Sequence, residues 1–127
     1  MEEHVAASAP LEACGLLGGK VGLATRLYLL ENELHSPTRY RIDPQAQLEA
    51  FLDMEAHELD LVAIFHSHPQ GPSHPSATDI AEAAYSQALH LIWSPRQDQW
   101  ECRAFRFGAK APIQVELRIS ETQATSP

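Results

Sequence analysis

The stretch LVAIFHSHPQGPSHPSATD, residues 61–79, decides how the chain is built. Its first eight residues are an apolar run containing Val, Ile and Phe and ending before Pro69, which predicts a buried strand. A loop rich in Pro and Gly follows. The four residues 76–79 then match the pattern [ST]-x-x-[DE], which is typical of a helix start. The stretch therefore predicts a buried strand joined to a helix by a short loop.

The segments on both sides extend this arrangement. Asp43 and Pro44 suit the cap and the first turn of a helix whose apolar residues recur at helical spacing. Helices are predicted at residues 2–9, 43–60 and 76–88, and strands at 14–19, 23–33, 61–68, 89–94, 99–108 and 112–120, with a turn at 19–22. This order predicts an α/β fold, with a mixed β-sheet sandwiched by helices. Residues 1–120 are expected to form a single domain, followed by a flexible tail at 121–127.

Composition excludes several classes of function. The chain has 127 residues and a formal net charge of −8, with 17 acidic against 9 basic residues. Without a basic run, nucleic-acid binding is not expected as a main role. The apolar runs are too short for a membrane span and the acidic start is not a signal peptide, so no membrane partner is expected. The composition leaves a homodimer open.

The cysteines indicate the compartment. Cys14 and Cys102 lie far apart in sequence and form neither a disulfide framework nor a zinc knuckle. A reducing environment is the default for such a chain. The sequence therefore predicts a cytoplasmic protein.

His66 and His68 are the strongest candidates for a chemical site. Side chains at positions i and i+2 of a strand share a face, so these two imidazoles point the same way. Zinc takes imidazole ligands, and two histidines need at least one further protein ligand. Asp79, in the first turn of the next helix, is the best candidate. The alternative is that Ser76 and Asp79 only cap that helix.

The spacing of these residues resembles a known family. The pattern His66-x-His68, seven residues, Ser76, two residues, Asp79 is similar to the motif of the JAMM, or MPN+, metalloproteases. That motif also has an upstream glutamate, and Glu12 in EACGLLGG matches it. The segment YRIDP, residues 40–44, is a further likeness. The resemblance covers most of residues 3–107 and implies the MPN/JAMM fold, which is cytidine-deaminase-like.

The resemblance also implies a role for each residue. His66, His68 and Asp79 would bind one Zn²⁺ per chain. Glu12 would act as general base and then general acid, and Ser76 would hydrogen-bond the developing oxyanion. The chemistry agrees, because zinc makes hydroxide available near neutral pH and a nearby carboxylate can move its proton. No organic cofactor is expected.

The substrate class follows from the same resemblance. Similar JAMM proteases cut the peptide or isopeptide bond after the C-terminal tail of ubiquitin or a ubiquitin-like protein. Members that act on ubiquitin carry sizeable insertions, whereas only seven residues separate His68 from Ser76. The chain resembles the bare prokaryotic form, for which a ubiquitin-like or sulfur-carrier protein is the expected partner.

Two other functions remain open from the sequence. The same fold could serve as a non-catalytic MPN-type interaction module. Cys14 could instead be a thiol nucleophile, although the apolar strand that follows it favours a buried structural residue. His74, in the loop between the candidate ligands, is expected to be solvated.

Overall fold

The computed structural model describes residues 1–83, 87–107 and 111–118. The helices are α1 (Glu2–Ser8), α2 (Pro44–Ala56) and α3 (Ala77–Ala81). The strands are β1 (Cys14–Lys20), β2 (Leu23–Leu30), β3 (Asp60–Ser67), β4 (Leu89–Arg96), β5 (Gln99–Phe107) and β6 (Pro112–Val115). The predicted flexible tail at 121–127 lies outside the described residues.

The strands form a single mixed sheet in the order β2-β1-β3-β4-β5-β6. Only the pair β3–β4 is parallel, and every other neighbouring pair is antiparallel. The loop after β3 and helix α3 make the crossover that a parallel pair requires. The carboxyl ends of β3 and β4 therefore meet at one edge, where the histidines lie.

Helices α1 and α2 pack on opposite faces of the sheet. Val5 of α1 joins a core cluster with Leu17 and Phe65, whereas Met54 of α2 joins a second cluster with Leu16. Leu16 and Leu17 are successive strand residues, so their side chains point to opposite faces. The predicted mixed sheet between helices is confirmed.

Close packing of β1 on β3 depends on a glycine. Gly15 lies opposite Phe65 in the register of the two strands. A Cβ at residue 15 would sit 2.2 Å from the Phe65 ring and 2.3 Å from the Tyr28 carbonyl oxygen. The missing side chain leaves the space that the buried Phe65 ring occupies.

Two helices are shorter than the sequence predicted. Helix α2 ends at Ala56 instead of residue 60, because Glu58 adopts a positive φ of 56° and Leu59 N–H donates to the Met54 carbonyl at 2.8 Å. This is a Schellman C-cap. Helix α3 spans five residues, and none of them is buried. Helices depend on packing for most of their stability, so α3, which buries no side chain, gains little from packing that would extend it. Residues 84–86 of the predicted helix lie outside the described residues.

Two strands are also shorter than predicted. Strand β2 ends at Leu30, after which Asn32 forms only an isolated bridge with Ile42. Strand β6 ends at Val115, and residues 116–118 are not in a strand. Among the described helices, none is long and apolar enough to cross a membrane.

Candidate active site

The candidate residues come together at the carboxyl end of β3. His66 is the second-last residue of β3, and His68 is the first residue after the strand. Strand β1 pairs with β3 so that Cys14 faces His66. This antiparallel register brings Glu12, two residues before Cys14, alongside His68. Asp79 reaches the same place from the first turn of α3.

Three ligand atoms converge on a single point. The Nε2 atoms of His66 and His68 are 3.1 Å apart, and they lie 3.1 and 3.0 Å from Asp79 Oδ2. Tetrahedral zinc with bonds of 2.0–2.1 Å places its ligand atoms about 3.3–3.4 Å apart. Two imidazoles and one carboxylate are also a ligand set that zinc uses in catalytic sites. The chain's own residues therefore fit the ion.

Glu12 supplies a buried carboxylate beside this cluster. Its side chain is 3% exposed, and Oε1 has no hydrogen-bond partner among the described residues. One carboxylate oxygen and the ring nitrogens of His66 and His68 all lie within 4.8 Å of one another. Burial raises the pKa of Glu12 to about 8, with His68 opposing and Asp79 reinforcing the rise. An orphaned buried oxygen is uncommon and is a feature of reactive sites.

Asp79 caps its helix and faces the histidines at the same time. Its backbone N–H donates to Ser76 Oγ at 3.0 Å, and its Oδ2 accepts from Ser76 N–H at 2.8 Å. Burial alone would raise the pKa of Asp79, but the contacts with His66 and His68 hold it well below its usual range. The capping interpretation and the ligand interpretation are therefore compatible, and both involve the same oxygen.

Ser76 keeps its hydroxyl hydrogen available. Its Oγ acts as an acceptor in the capping box, so this contact does not use the O–H. Because a serine hydroxyl can accept one hydrogen bond and donate another, Ser76 can cap α3 and still donate to a second group.

Two buried polar residues that the sequence analysis missed support Glu12. Asn32 is 8% exposed, and its Nδ2 donates to the Glu12 carbonyl at 3.1 Å. Ser67 is fully buried, and its Oγ accepts from Ala13 N–H at 2.8 Å. Asn32 looks like an ordinary turn residue in the sequence. Ser67 stands out only as a small polar residue between the two histidines.

A cavity of about 350 Å³ adjoins the site. It runs between residues 39–42 and α3. Ile64 of β3, His90 of β4 and Asp79 also line it. The cavity therefore reaches the aspartate of the candidate ligand set.

Two residues considered in the sequence lie apart from this chemistry. Cys14 is fully buried and its thiol lies 3.7 Å from the Leu30 carbonyl oxygen. Burial, reinforced by the carboxylates of Glu12 and Glu31, raises the pKa of Cys14 to about 12. A buried thiol with such a pKa is a poor nucleophile. His74 is exposed, as expected for a solvated loop residue.

The fold and the residues at its edge define a JAMM-type hydrolase. The family model described as prokaryotic homologs of the JAB domain matches residues 1–108, and the chain belongs to this family. It is 37% identical over 115 residues to a desampylase of Pyrococcus furiosus, covering 91% of this chain and 79% of the relative. It is 35% identical over 124 residues to a CysO-cysteine peptidase of Mycobacterium tuberculosis, covering 95% of this chain and 85% of the relative.

A solved structure agrees with this assignment. The solution structure of a protein from Desulfitobacterium hafniense superimposes with a TM-score of 0.80 at 34% identity. The match covers 90% of this chain and 82% of the other. The crystal structure of a JAB1/MPN domain protein from Archaeoglobus fulgidus also superimposes, with a TM-score of 0.52 at 20% identity and with 91% of this chain and 85% of the other covered. The MPN/JAMM fold expected from the sequence is therefore confirmed.

Proposed function

We propose that the chain is a zinc-dependent protease that hydrolyses the peptide or isopeptide bond after the C-terminal tail of a ubiquitin-like or sulfur-carrier protein. The observation that carries the proposal is the convergence of His66 Nε2, His68 Nε2 and Asp79 Oδ2 within 3.1 Å of one another. These three residues would hold one zinc ion. When bound, zinc supplies Lewis-acid polarisation of the carbonyl and makes hydroxide available near pH 7.

Glu12 is the proton carrier in this proposal. A cation bound by the neighbouring residues would keep the Glu12 carboxylate ionised against the effect of burial. The carboxylate then takes a proton from the attacking water and delivers it to the leaving amine. A buried carboxylate with one oxygen unbonded by any residue the structure describes is suited to this role, because no such contact has to be displaced before it acts. The backbone of Glu12 is fixed on both sides, since its N–H donates to the Ser36 carbonyl at 2.8 Å and its carbonyl accepts from Asn32.

Ser76 stabilises the oxyanion in the same proposal. Its hydroxyl hydrogen is not used by the capping box, and its position is fixed by two hydrogen bonds with Asp79. A fixed donor stabilises developing charge without reorganising during the reaction. The capping box therefore also orients the Ser76 hydroxyl for its proposed hydrogen bond to the oxyanion.

The substrate class rests on relatives and on the short connection between the ligands. The relatives are named as a desampylase and a CysO-cysteine peptidase, which favours an enzyme over an interaction module. The seven-residue spacing between His68 and Ser76 leaves no room for an insertion that grips ubiquitin. A slender tail ending in small residues can approach the site as an extended strand.

Glu12→Gln is the variant that tests this function. The substrate is a sulfur-carrier protein fused through its C-terminal Gly-Gly to a reporter peptide, and the products are weighed by mass spectrometry. Wild-type protein loaded with zinc should release the carrier at its C-terminal glycine. Glu12→Gln should keep its zinc, measured by elemental analysis, while hydrolysis falls by about 10²-fold or more. Glu3→Gln, on the exposed face of α1, is the matched control and should keep full activity.

The outcomes separate the parts of the proposal. Full activity of Glu12→Gln would remove this residue from proton transfer. Loss of zinc from that variant would make Glu12 a ligand. A zinc-loaded wild-type protein that cleaves no carrier fusion would contradict the substrate assignment.

A further inference from the structure

The two histidines of the site are oriented by different means. A histidine that binds a metal usually donates its other ring N–H to a carbonyl, carboxylate or water, which fixes the ring. His68 follows this pattern, because its Nδ1 lies 2.8 Å from the Pro72 carbonyl oxygen. His66 does not, because its buried Nδ1 has no hydrogen-bond partner among the described residues.

An aromatic ring takes the place of that hydrogen bond. Tyr40 stacks on the His66 imidazole with ring centroids 4.4 Å apart and an interplanar angle of 19°. The His68 ring meets His66 edge-on, with centroids 4.8 Å apart at 67°. The face of the His66 ring is covered by Tyr40, so rotation about its χ2 angle would break the stack.

The Tyr40 ring is itself held in place by the backbone on both sides. Asn32 Nδ2 donates to the Arg39 carbonyl at 3.0 Å, and Arg41 N–H donates to Asn32 Oδ1 at 3.1 Å. Glu33 N–H also donates to the Arg41 carbonyl at 2.8 Å. The backbone of Tyr40 is therefore anchored on both sides, which holds the residue beside His66.

We infer that Tyr40 is a positioning residue for the metal site and that its ring face orients His66, whose Nδ1 has no hydrogen-bond partner in the described part of the chain. The inference rests on the proposed function only in taking His66 as a metal ligand. A ring already turned toward His68 and Asp79 loses less conformational freedom when a cation binds. Hydrogen-bonded partners that orient ligating histidines are worth about 10- to 100-fold in metal affinity, and the stack takes the place of such a partner here.

The experiment measures zinc affinity in the apo protein by competition with a chromogenic chelator. Tyr40→Leu should bind zinc about 10- to 100-fold more weakly than wild type. Tyr40→Phe keeps the ring and loses only the hydroxyl, so its affinity should stay within about threefold. Tyr40→Met is a second non-aromatic variant, used if Tyr40→Leu melts too low to be loaded.

Phe107→Leu is the matched control. Phe107 stacks on the buried His90 with centroids 3.9 Å apart and an interplanar angle of 5°, and His90 is outside the ligand set. Its loss should lower the melting temperature but leave zinc affinity unchanged. The visible absorption of Co²⁺-loaded protein gives a second readout, because its d–d bands should shift in Tyr40→Leu and not in Phe107→Leu.

Three results would overturn the inference. Wild-type affinity in the folded leucine or methionine variant would show that the stack does not orient His66. A Tyr40→Phe variant as weak as Tyr40→Leu would assign the effect to the hydroxyl. A Phe107→Leu variant with equally weak zinc binding would assign it to general loosening of the sheet. Failure of the wild-type protein to bind zinc would instead overturn the proposed function.

Discussion

Replacing Asn32 by Ala should destabilise the protein and disturb the site together. The amide of Asn32 uses its full hydrogen-bonding capacity on backbone groups. Nδ2 donates to the carbonyls of Glu12 and Arg39, and Oδ1 accepts from the N–H groups of Leu34 and Arg41, all at 3.0–3.1 Å. These bonds tie Glu12, two residues before β1, to the loop between β2 and α2.

The size of the effect follows from where those four partners lie. The bond to the Glu12 carbonyl is buried, and an unsatisfied buried acceptor costs about 1–3 kcal/mol. The other three bonds are partly buried, so water replaces them in part and each loss costs about 0.5–1 kcal/mol. The free energy of unfolding should therefore fall by roughly 2.5–6 kcal/mol, a large share of the ~5–15 kcal/mol typical of a domain.

Urea denaturation of the apo protein, followed by circular dichroism, measures this change. Asn32→Asp is a useful second variant. It keeps the oxygen that accepts two hydrogen bonds, but it replaces the NH2 group, which donates two, by a carboxylate oxygen that faces two carbonyl oxygens. It should be at least as destabilising as Asn32→Ala. Ser36→Ala, at a partly buried residue of the same loop, should cost less than Asn32→Ala, since the hydrogen bonds of its Oγ are with residues two and three positions away. A loss below about 1 kcal/mol for Asn32→Ala would refute the reasoning, because it would mean that the four groups find other partners easily.

Four further outcomes are expected. Asp79→Ala should lose zinc, measured by elemental analysis, and about 1 kcal/mol of stability with the cap; full zinc occupancy would leave Asp79 with the capping role alone. Ser76→Ala should keep zinc but hydrolyse a carrier fusion on the order of a hundredfold more slowly, and unchanged turnover would exclude it from catalysis. Val21→Asn should stabilise the protein by about 1 kcal/mol and so raise the melting temperature. Val21 is fully exposed and has a φ of 51° beside Gly22, in a two-residue hairpin turn that favours Asn-Gly. A lower melting temperature would contradict this prediction. Iodoacetamide at pH 8 should leave the hydrolytic activity intact, because burial raises the pKa of the Cys14 thiol to about 12. A zinc chelator should abolish the activity. Inactivation by iodoacetamide and not by the chelator would support Cys14 as the nucleophile.

The sequence by itself determined which residues are candidates for the site and whether each one lies on or next to a strand or at a helix start. The apolar run before His66 predicted the buried strand, and the alternation of side chains put His66 and His68 on one face. Asp43 and Pro44 predicted the start of α2, which begins at Pro44 with Asp43 as its cap. These features are local, because they depend on residues within a few positions of each other.

Helix and strand ends were less predictable. The periodicity of residues 43–60 continues past Ala56, yet a Schellman cap at Glu58 ends the helix there. The capping pattern at Ser76 predicted where α3 begins, but nothing local showed that this helix buries no side chain. An element extends only as far as its packing supports it, and packing partners come from distant parts of the chain.

Only the tertiary structure decided how the distant residues cooperate. The register of β1 against β3 brings Glu12 beside His68, 56 positions away in sequence. The full set of bonds to Asn32, and the stack of Tyr40 on His66, exist only because a loop folds back over the strand ends. Such contacts leave little trace in a single sequence, because neither an asparagine before a loop nor a tyrosine within it has any local reason to be there. Their energy comes from burial and from hydrogen bonds that form once the sheet is assembled.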